Sequence, residues 1–246
     1  MTTAKDDFKR DRRQMKQERK TAKEQVKNAY REMHHNFSGI GEVLSHDGKT
    51  FVDGISNFRG GEFGELFIEG ICSCSEDITA SKINVEGVFN CNGNLNADEF
   101  FCEGTAQIKG NIRANEIDVS GIMEIKGRLE ADKIICEGVI RVEGEISADL
   151  VQARGAIVAR EILGDKVVIR SEVRSFFRRF LHRYERVNFI EATVVELHRV
   201  NAKTVNGHDI YIGRKCKIDR IDCSGTLFVD PTAEVTEIVG KYERKQ

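Results

Sequence analysis

Between residues 70 and 155 the apolar positions follow neither one helical stripe nor a long simple alternation. They form a motif that returns with a period of 17. One coil reads Ile108, Ile112, Ile117, Val119 and Ile125, at intervals of 4, 5, 2 and 6. The ladders Cys74/Cys91/Ile108/Ile125/Val142 and Ile78/Leu95/Ile112/Leu129/Ile146 keep that phase from coil to coil. Short β-branched runs such as Glu116-Ile117-Asp118-Val119 alternate polar and apolar residues at the strand period, and no window is long enough for one helix per repeat.

Glycines mark the same period: Gly70, Gly87, Gly104, Gly121, Gly138 and Gly155 stand 17 apart, with a second ladder at Gly93, Gly110, Gly127 and Gly144. A unit of this size cannot bury its own apolar face and must stack on its neighbours. The pattern predicts an all-β fold, a parallel β-helix of about 17-residue coils with three sides of about six, six and five residues. Glycines at two corners are expected to supply permissive backbone for tight turns, with the Ala131-Asp132 step near the third.

The period weakens outside this block. Gly54 to Phe58 copies Gly87 to Cys91, although the step from Gly54 to Gly70 is one short of the period, so the β-helix is expected to begin near Phe37. Downstream, Ile212/Val229, Ile218/Val235 and Ile221/Ile238 are 17 apart, while Gly207/Gly225 and Val205/Cys223 are 18 apart, which predicts a second, looser block over residues 187–240. Between the blocks, residues 171–186 set Phe176, Phe177, Phe180, Leu181 and Tyr184 on one helical stripe with Arg174, Arg178, Arg179 and Arg183 elsewhere, the pattern of a short inserted amphipathic helix. The expected organisation is a basic tail over 1–36, a main β-helix over 37–170, the insert, the second block, and a charged tail over 241–246.

Charge sharpens this division. The chain of 246 residues carries a net charge of −2, yet residues 1–32 hold eleven Lys and Arg against six acids, and residues 170–186 hold six Arg against two Glu. A mildly acidic body with two basic attachments is not built to grip nucleic acid along its length, but either attachment suits an anionic surface or a partner. No stretch reaches the roughly 20 apolar residues of a membrane span, and no signal-like apolar block follows the N-terminus, so the expected location is the cytoplasm. Seven cysteines, an odd number, then read as reduced thiols.

Candidate chemistry is sparse. Cys72-Ser-Cys74 suggests half a zinc site, but Cys74, Cys91, Cys102 and Cys136 share columns with Ile and Val and read as small core hydrophobes. None of the six histidines falls within residues 70–170, and the acids there alternate with core positions as a solvated face does. Asp47-Gly48-Lys49-Thr50 resembles the end of a phosphate-binding loop, but the required earlier glycine is Val43. No catalytic residue, cofactor or metal is expected.

Repeats such as Val119-Ser-Gly-Ile-Met-Glu-Ile-Lys-Gly-Arg-Leu-Glu-Ala-Asp and Cys136-Glu-Gly-Val-Ile-Arg-Val-Glu-Gly-Glu-Ile-Ser-Ala-Asp resemble the bactofilins, bacterial polymer-forming cytoskeletal proteins. The likeness covers about residues 50–170. Arg170-Ser, Ser175-Phe-Phe and Gly207-His-Asp-Ile-Tyr-Ile-Gly-Arg-Lys-Cys-Lys-Ile are similar to a longer subgroup from Gram-positive rods and extend it to about 235. The resemblance implies a right-handed parallel β-helix, filaments assembled without nucleotide, and scaffolding in cell shape, envelope growth or motility. Left-handed β-helix acyltransferases fit poorly, since they use steps of 18 and an active-site histidine. Secreted right-handed β-helix lyases have long irregular loops that this chain lacks.

The expectation is therefore a non-enzymatic homopolymer with unidentified protein clients, in the cytoplasm or at the inner face of the membrane. A monomeric solenoid that docks a protein or an anionic membrane is the alternative. Because the final coil is followed by only seven residues, its end is expected to be open, which makes Val229, Val235, Ile238 and Val239 the candidate self-assembly residues. The candidate membrane or partner contacts are Phe176, Phe177, Phe180, Arg174, Arg178, Arg179 and Arg183.

Overall fold

The computed structural model describes residues 42–46, 48–171 and 186–245. Among these the secondary structure is entirely β, in strands β1 (Glu42–His46), β2 (Lys49–Asp53), β3 (Ile55–Phe58), β4 (Gly61–Ile68), β5 (Ile71–Cys74), β6 (Ile78–Val85) and β7 (Val88–Cys91). The series continues with β8 (Leu95–Cys102), β9 (Thr105–Ile108), β10 (Ile112–Val119), β11 (Ile122–Ile125), β12 (Leu129–Cys136), β13 (Val139–Val142), β14 (Glu145–Ala153), β15 (Ala156–Val158) and β16 (Glu161–Arg170). After the insert come β17 (Arg186–His198), β18 (Asn201–Ile212), β19 (Lys217–Val229), β20 (Glu234–Gly240) and β21 (Glu243–Arg244). Even-numbered strands up to β16, followed by β17 to β20, form one long sheet. The odd-numbered strands β3 to β15 form a second sheet, and both are parallel β-solenoid ladders except for the first pair.

The long strand spans two sides of the coil. In β10, Ile112 and Ala114 point inward, Asn115 and Glu116 are two successive outward positions, and Ile117 and Val119 point inward again. That slip of the two-residue alternation is the third corner, at the Ala-Asp or Ala-Asn step. Side chains from successive coils stack directly: Ile78, Leu95, Ile112, Leu129, Ile146 and Ile162 form one fully enclosed column at register steps of 17, 17, 17, 17 and 16. Each large aliphatic side chain buried in this way contributes roughly 1.5–3 kcal/mol of transfer free energy.

The glycine ladder has a different cause from the one its sequence suggests. None of Gly70, Gly87, Gly104, Gly121, Gly138 and Gly155 has a positive φ. A Cβ at Gly121 would instead sit 2.0 Å from the carbonyl oxygen of Gly104, and one at Gly138 would sit 1.9 Å from that of Gly121. The coils approach too closely at this corner for any side chain. At the next corner the side chains replace missing backbone partners. Asp77 accepts the Asn94 N–H at 2.7 Å, Asn94 accepts that of Asn111 at 2.9 Å, and Asn111 accepts that of Arg128 at 2.9 Å.

Two boundaries differ from expectation. Among the described residues parallel coils begin at β2: β1, inside the block expected from residue 37, turns back and pairs antiparallel with β2, Glu42 opposite Asp53, while Phe37 itself lies outside the described residues. The two expected blocks share one sheet, because β16 pairs with β17 in register, Val167 opposite Val195, across a sequence step of 28. The stack of described coils therefore stays in register from β16 to β17. The tail expected over 1–36 lies outside the described residues, as does the predicted helix.

Beyond the insert the third side shrinks to turns, which contribute Val200, Cys216 and Ala233 to the core. The steps become 15 from β17 to β18 and 16 into β19. They return to 17 after a register shift between Gly207 and Asp209. That shift corrects the reading of a spacing of 18: Gly207 pairs with Cys223, and Val205 with Ile221.

Candidate functional site

The C-terminal end of the solenoid carries the residues expected to drive assembly. Val235 lies over Ile218 and Ala202, and Ile238 lies over Ile221 and Val205. Ile218 and Ile221 are fully enclosed, whereas Val235 and Ile238 are only half-buried, because among the described residues no strand packs beyond β20. Val229 stacks on Ile212 and is likewise half-buried. Val239 does not belong with them: it shares a row with Asp222 and Asn206 on the outer face. β20 is the last strand of the long sheet, so one of its backbone edges faces away from the stack. The tail expected over 241–246 is in part structural. Gly240 turns at φ 103, and Glu243 and Arg244 pair with Thr226 and Leu227 and extend the last coil.

Phe176, Phe177, Phe180, Arg174, Arg178, Arg179 and Arg183 all lie outside the described residues.

All seven cysteines are buried, and none is in a disulfide. Burial pushes the Cys72, Cys91 and Cys102 thiols up to about 12, and raises Cys74 and Cys216. Thiols held neutral in this way are poor nucleophiles and poor metal ligands. Among the described residues no three His, Cys, Asp or Glu side chains converge as a metal-ligand set. Three surface carboxyls are shifted down. Asp77 is held by the Asn94 amide N–H and side chain, Asp209 by the Thr226 hydroxyl and N–H, and Asp230 by the Thr232 hydroxyl and N–H. They are acceptors that lock neighbouring coils or turns, with the opposite perturbation from a general acid.

One feature escaped sequence reasoning. A groove of about 770 Å³ runs beside the returning chain, lined by Arg170, His198, Arg199, Tyr211, Arg214 and Phe228 among others. The Tyr211 and Phe228 rings stack at 4.5 Å and 10°, and His198 tilts against Tyr211 at 5.4 Å. Glu196 accepts from Arg170 Nη2 at 2.6 Å and lies 3.1 Å from His198 Nε2. Arg199 has φ 57, the left-handed region, and sits at the corner turn. The step from Tyr211 to Phe228 matches the period of 17 and was legible, but Glu196 meets Tyr211 after 15, so the cluster is out of phase with the repeat.

No helix among the described residues is long and apolar enough to cross a membrane. No protein-family model matches the chain, and no solved structure matches it. A 46-residue segment is 44% identical to the uncharacterized protein YhbE of Bacillus subtilis (strain 168), and the match spans 19% of this chain and 19% of that protein.

Proposed function

We propose that this chain is a non-enzymatic, self-assembling scaffold of the bactofilin type, polymerising without nucleotide and positioning client proteins in cell shape, envelope growth or motility. Its place in this reading is the cytoplasm, with peripheral contact at the inner face of the membrane. The observation that carries the proposal is the unfinished last coil. Columns enclosed at Ile218 and Ile221 end half-open at Val235 and Ile238, under the outer edge of β20. A soluble monomer ordinarily hides such an end under a cap. Neutral buried thiols and carboxyls held as anions favour a structural over a catalytic role.

A monomeric binding module is the second reading, favoured by the groove around Tyr211 and Phe228. Negative-stain microscopy of the purified full chain with and without ATP decides between them. Filaments in both samples support the scaffold. Monodisperse monomers at high concentration refute it in favour of the binding module.

A further inference from the structure

The outer face of the short sheet carries a row of residues that stack in register: Ile55, Ile71, Val88, Thr105, Ile122, Val139 and Ala156. They point away from the core, since Cys72, Phe89, Ala106 and Met123, their chain neighbours, point into it. An outward row on a solenoid should be polar, yet six of these seven residues are apolar. At one end the row is covered. Val139 and Ala156 are 2% and 7% exposed and form an apolar cluster with Ile122 and Val158, separate from the main core. At the other end Ile55, Ile71 and Val88 are 58%, 48% and 38% exposed, three of the most exposed large apolar side chains among the described residues.

The second outward row of these strands is Asn57, Ser73, Asn90 and Gln107. The outward face of β3, β5, β7 and β9 thus holds eight residues and no charge, in a chain where 32% of residues are charged. Further along the same rows the charges return, as the Glu124–Arg141 ion pair at 2.8 Å. Loss of charge around an apolar centre distinguishes the core of a protein interface from ordinary surface.

We propose that this face is a lateral contact between two copies of the chain, packing solenoids side by side. A neutral face is self-complementary: it meets its own copy without like-charge repulsion, whereas a charged client would find no counter-charge on it. Size sets how the contact works. Four strands spaced at about 4.8 Å, each with four residues rising about 3.3 Å, give a footprint of about 250 Å² per copy. The pair buries roughly 500 Å², well below the roughly 1,200–2,000 Å² of a stable standard interface. The contact is therefore too small for an isolated dimer. It acts by repetition once copies are joined end to end, where each bound pair raises the effective concentration of the next. In this respect the inference rests on the assembly proposed above. With the two-fold axis lying in the plane of the contact and passing through Ile71, the middle residue of the exposed three, Ile71 meets its own copy.

Two variants of the full chain test this. Ile71→Lys places like charges opposite each other on an exposed position, so the fold stays intact by its melting temperature, and filaments in the microscope change from side-by-side pairs or bundles to single threads. Ile71→Cys introduces one exposed thiol among seven buried ones. Diamide, which takes up two electrons and two protons as two thiols join, links most of the assembled protein into covalent dimers, while Glu130→Cys on a charged face stays monomeric on a denaturing gel. Single threads in the wild type without linkage through position 71 overturn the lateral contact alone and leave end-to-end assembly standing. Linkage without any filaments refutes the end-to-end reading and, with it, the dependence of this contact on repetition, leaving a face that pairs on its own. Bundling of Ile71→Lys equal to wild type assigns the face to a client protein and overturns the proposal.

Discussion

Replacing Ile238 by aspartate separates the stability of the coil from its capacity to associate. Ile238 and Ile221 occupy the same column in consecutive coils, the first half-buried and the second fully enclosed. In an end-to-end junction Val229, Ala233, Val235 and Ile238 each lose the remaining exposed area, roughly 30 Å², which at about 25 cal/mol per Å² contributes about 3 kcal/mol per end and about 6 for two. Pairing along the 7-residue β20 adds on the order of six hydrogen bonds at about 1 kcal/mol net each. The gross gain of about 12 kcal/mol falls within the roughly 4–15 kcal/mol cost of association, so assembly is finely balanced. A carboxylate buried in this junction without a partner costs about 3–5 kcal/mol, which raises the concentration needed for assembly by at least about 100-fold. The monomer keeps its fold, because the new charge still reaches water, whereas Ile221→Asp one coil inside unfolds it. Light scattering and sedimentation velocity read assembly, and circular dichroism reads the fold. Filaments at wild-type concentration from a folded Ile238→Asp protein would refute end-to-end assembly at this terminus.

Gly138→Ala is expected to destabilise by about 2–3 kcal/mol despite its ordinary backbone angles, because the added methyl meets the Gly121 carbonyl at 1.9 Å; an unchanged melting temperature would show that the corner can spread. Cys102→Val should cost under about 1.5 kcal/mol and Cys102→Ser more, since its column neighbours are Val85 and Val119; calorimetry reporting the reverse order would point to a polar role for the thiol. With the thiols of Cys72, Cys91 and Cys102 pushed up to about 12, the thiol reagent DTNB under mildly alkaline conditions should label them at the unfolding rate, and rapid labelling of the native protein would contradict their burial. Asp77, Asp209 and Asp230 are stronger acids in the fold than in the unfolded chain, so their stabilisation is complete above the unfolded carboxyl range near pH ~4 and is lost as pH falls through their lower folded values. Melting temperature should decline below about pH 4 with a shallower slope in Asp209→Ala, and an identical slope would remove Asp209 from that account.

Much of this architecture can be read from the residues alone because stacked coils in exact register turn a spatial column into an arithmetic one. Ile218/Val235 and Ile221/Ile238, 17 apart in sequence, are indeed direct neighbours. Legibility fails wherever a coil changes length. The shortened step of 15 into β18 concealed the contact of Glu196 with Tyr211, and the shift after Gly207 made a spacing of 18 look meaningful. The antiparallel β1 breaks the repeat and gave no periodic signal. Inward and outward apolar rows share one period, so Ile55, Ile71 and Val88 could not be told from core positions until their neighbours were seen pointing inward. The glycine ladder was visible, but its reason was not, since conformational freedom and close approach demand the same residue.

The pairing of β16 with β17 across the insert bears on engineering as well as on folding. The two strands meet in register although residues 171–185 separate them in sequence, so ladder bonds and side-chain columns, not close covalent succession, hold adjacent coils together. Lengthening the sequence between two such strands carries only a logarithmic entropy cost, about 0.6 kcal/mol for each doubling. The site between residues 171 and 186 is accordingly a natural socket. A foreign segment long enough to join the end of β16 to the start of β17, which lie at opposite ends of the paired strands, could be grafted there and leave the coils on either side in register.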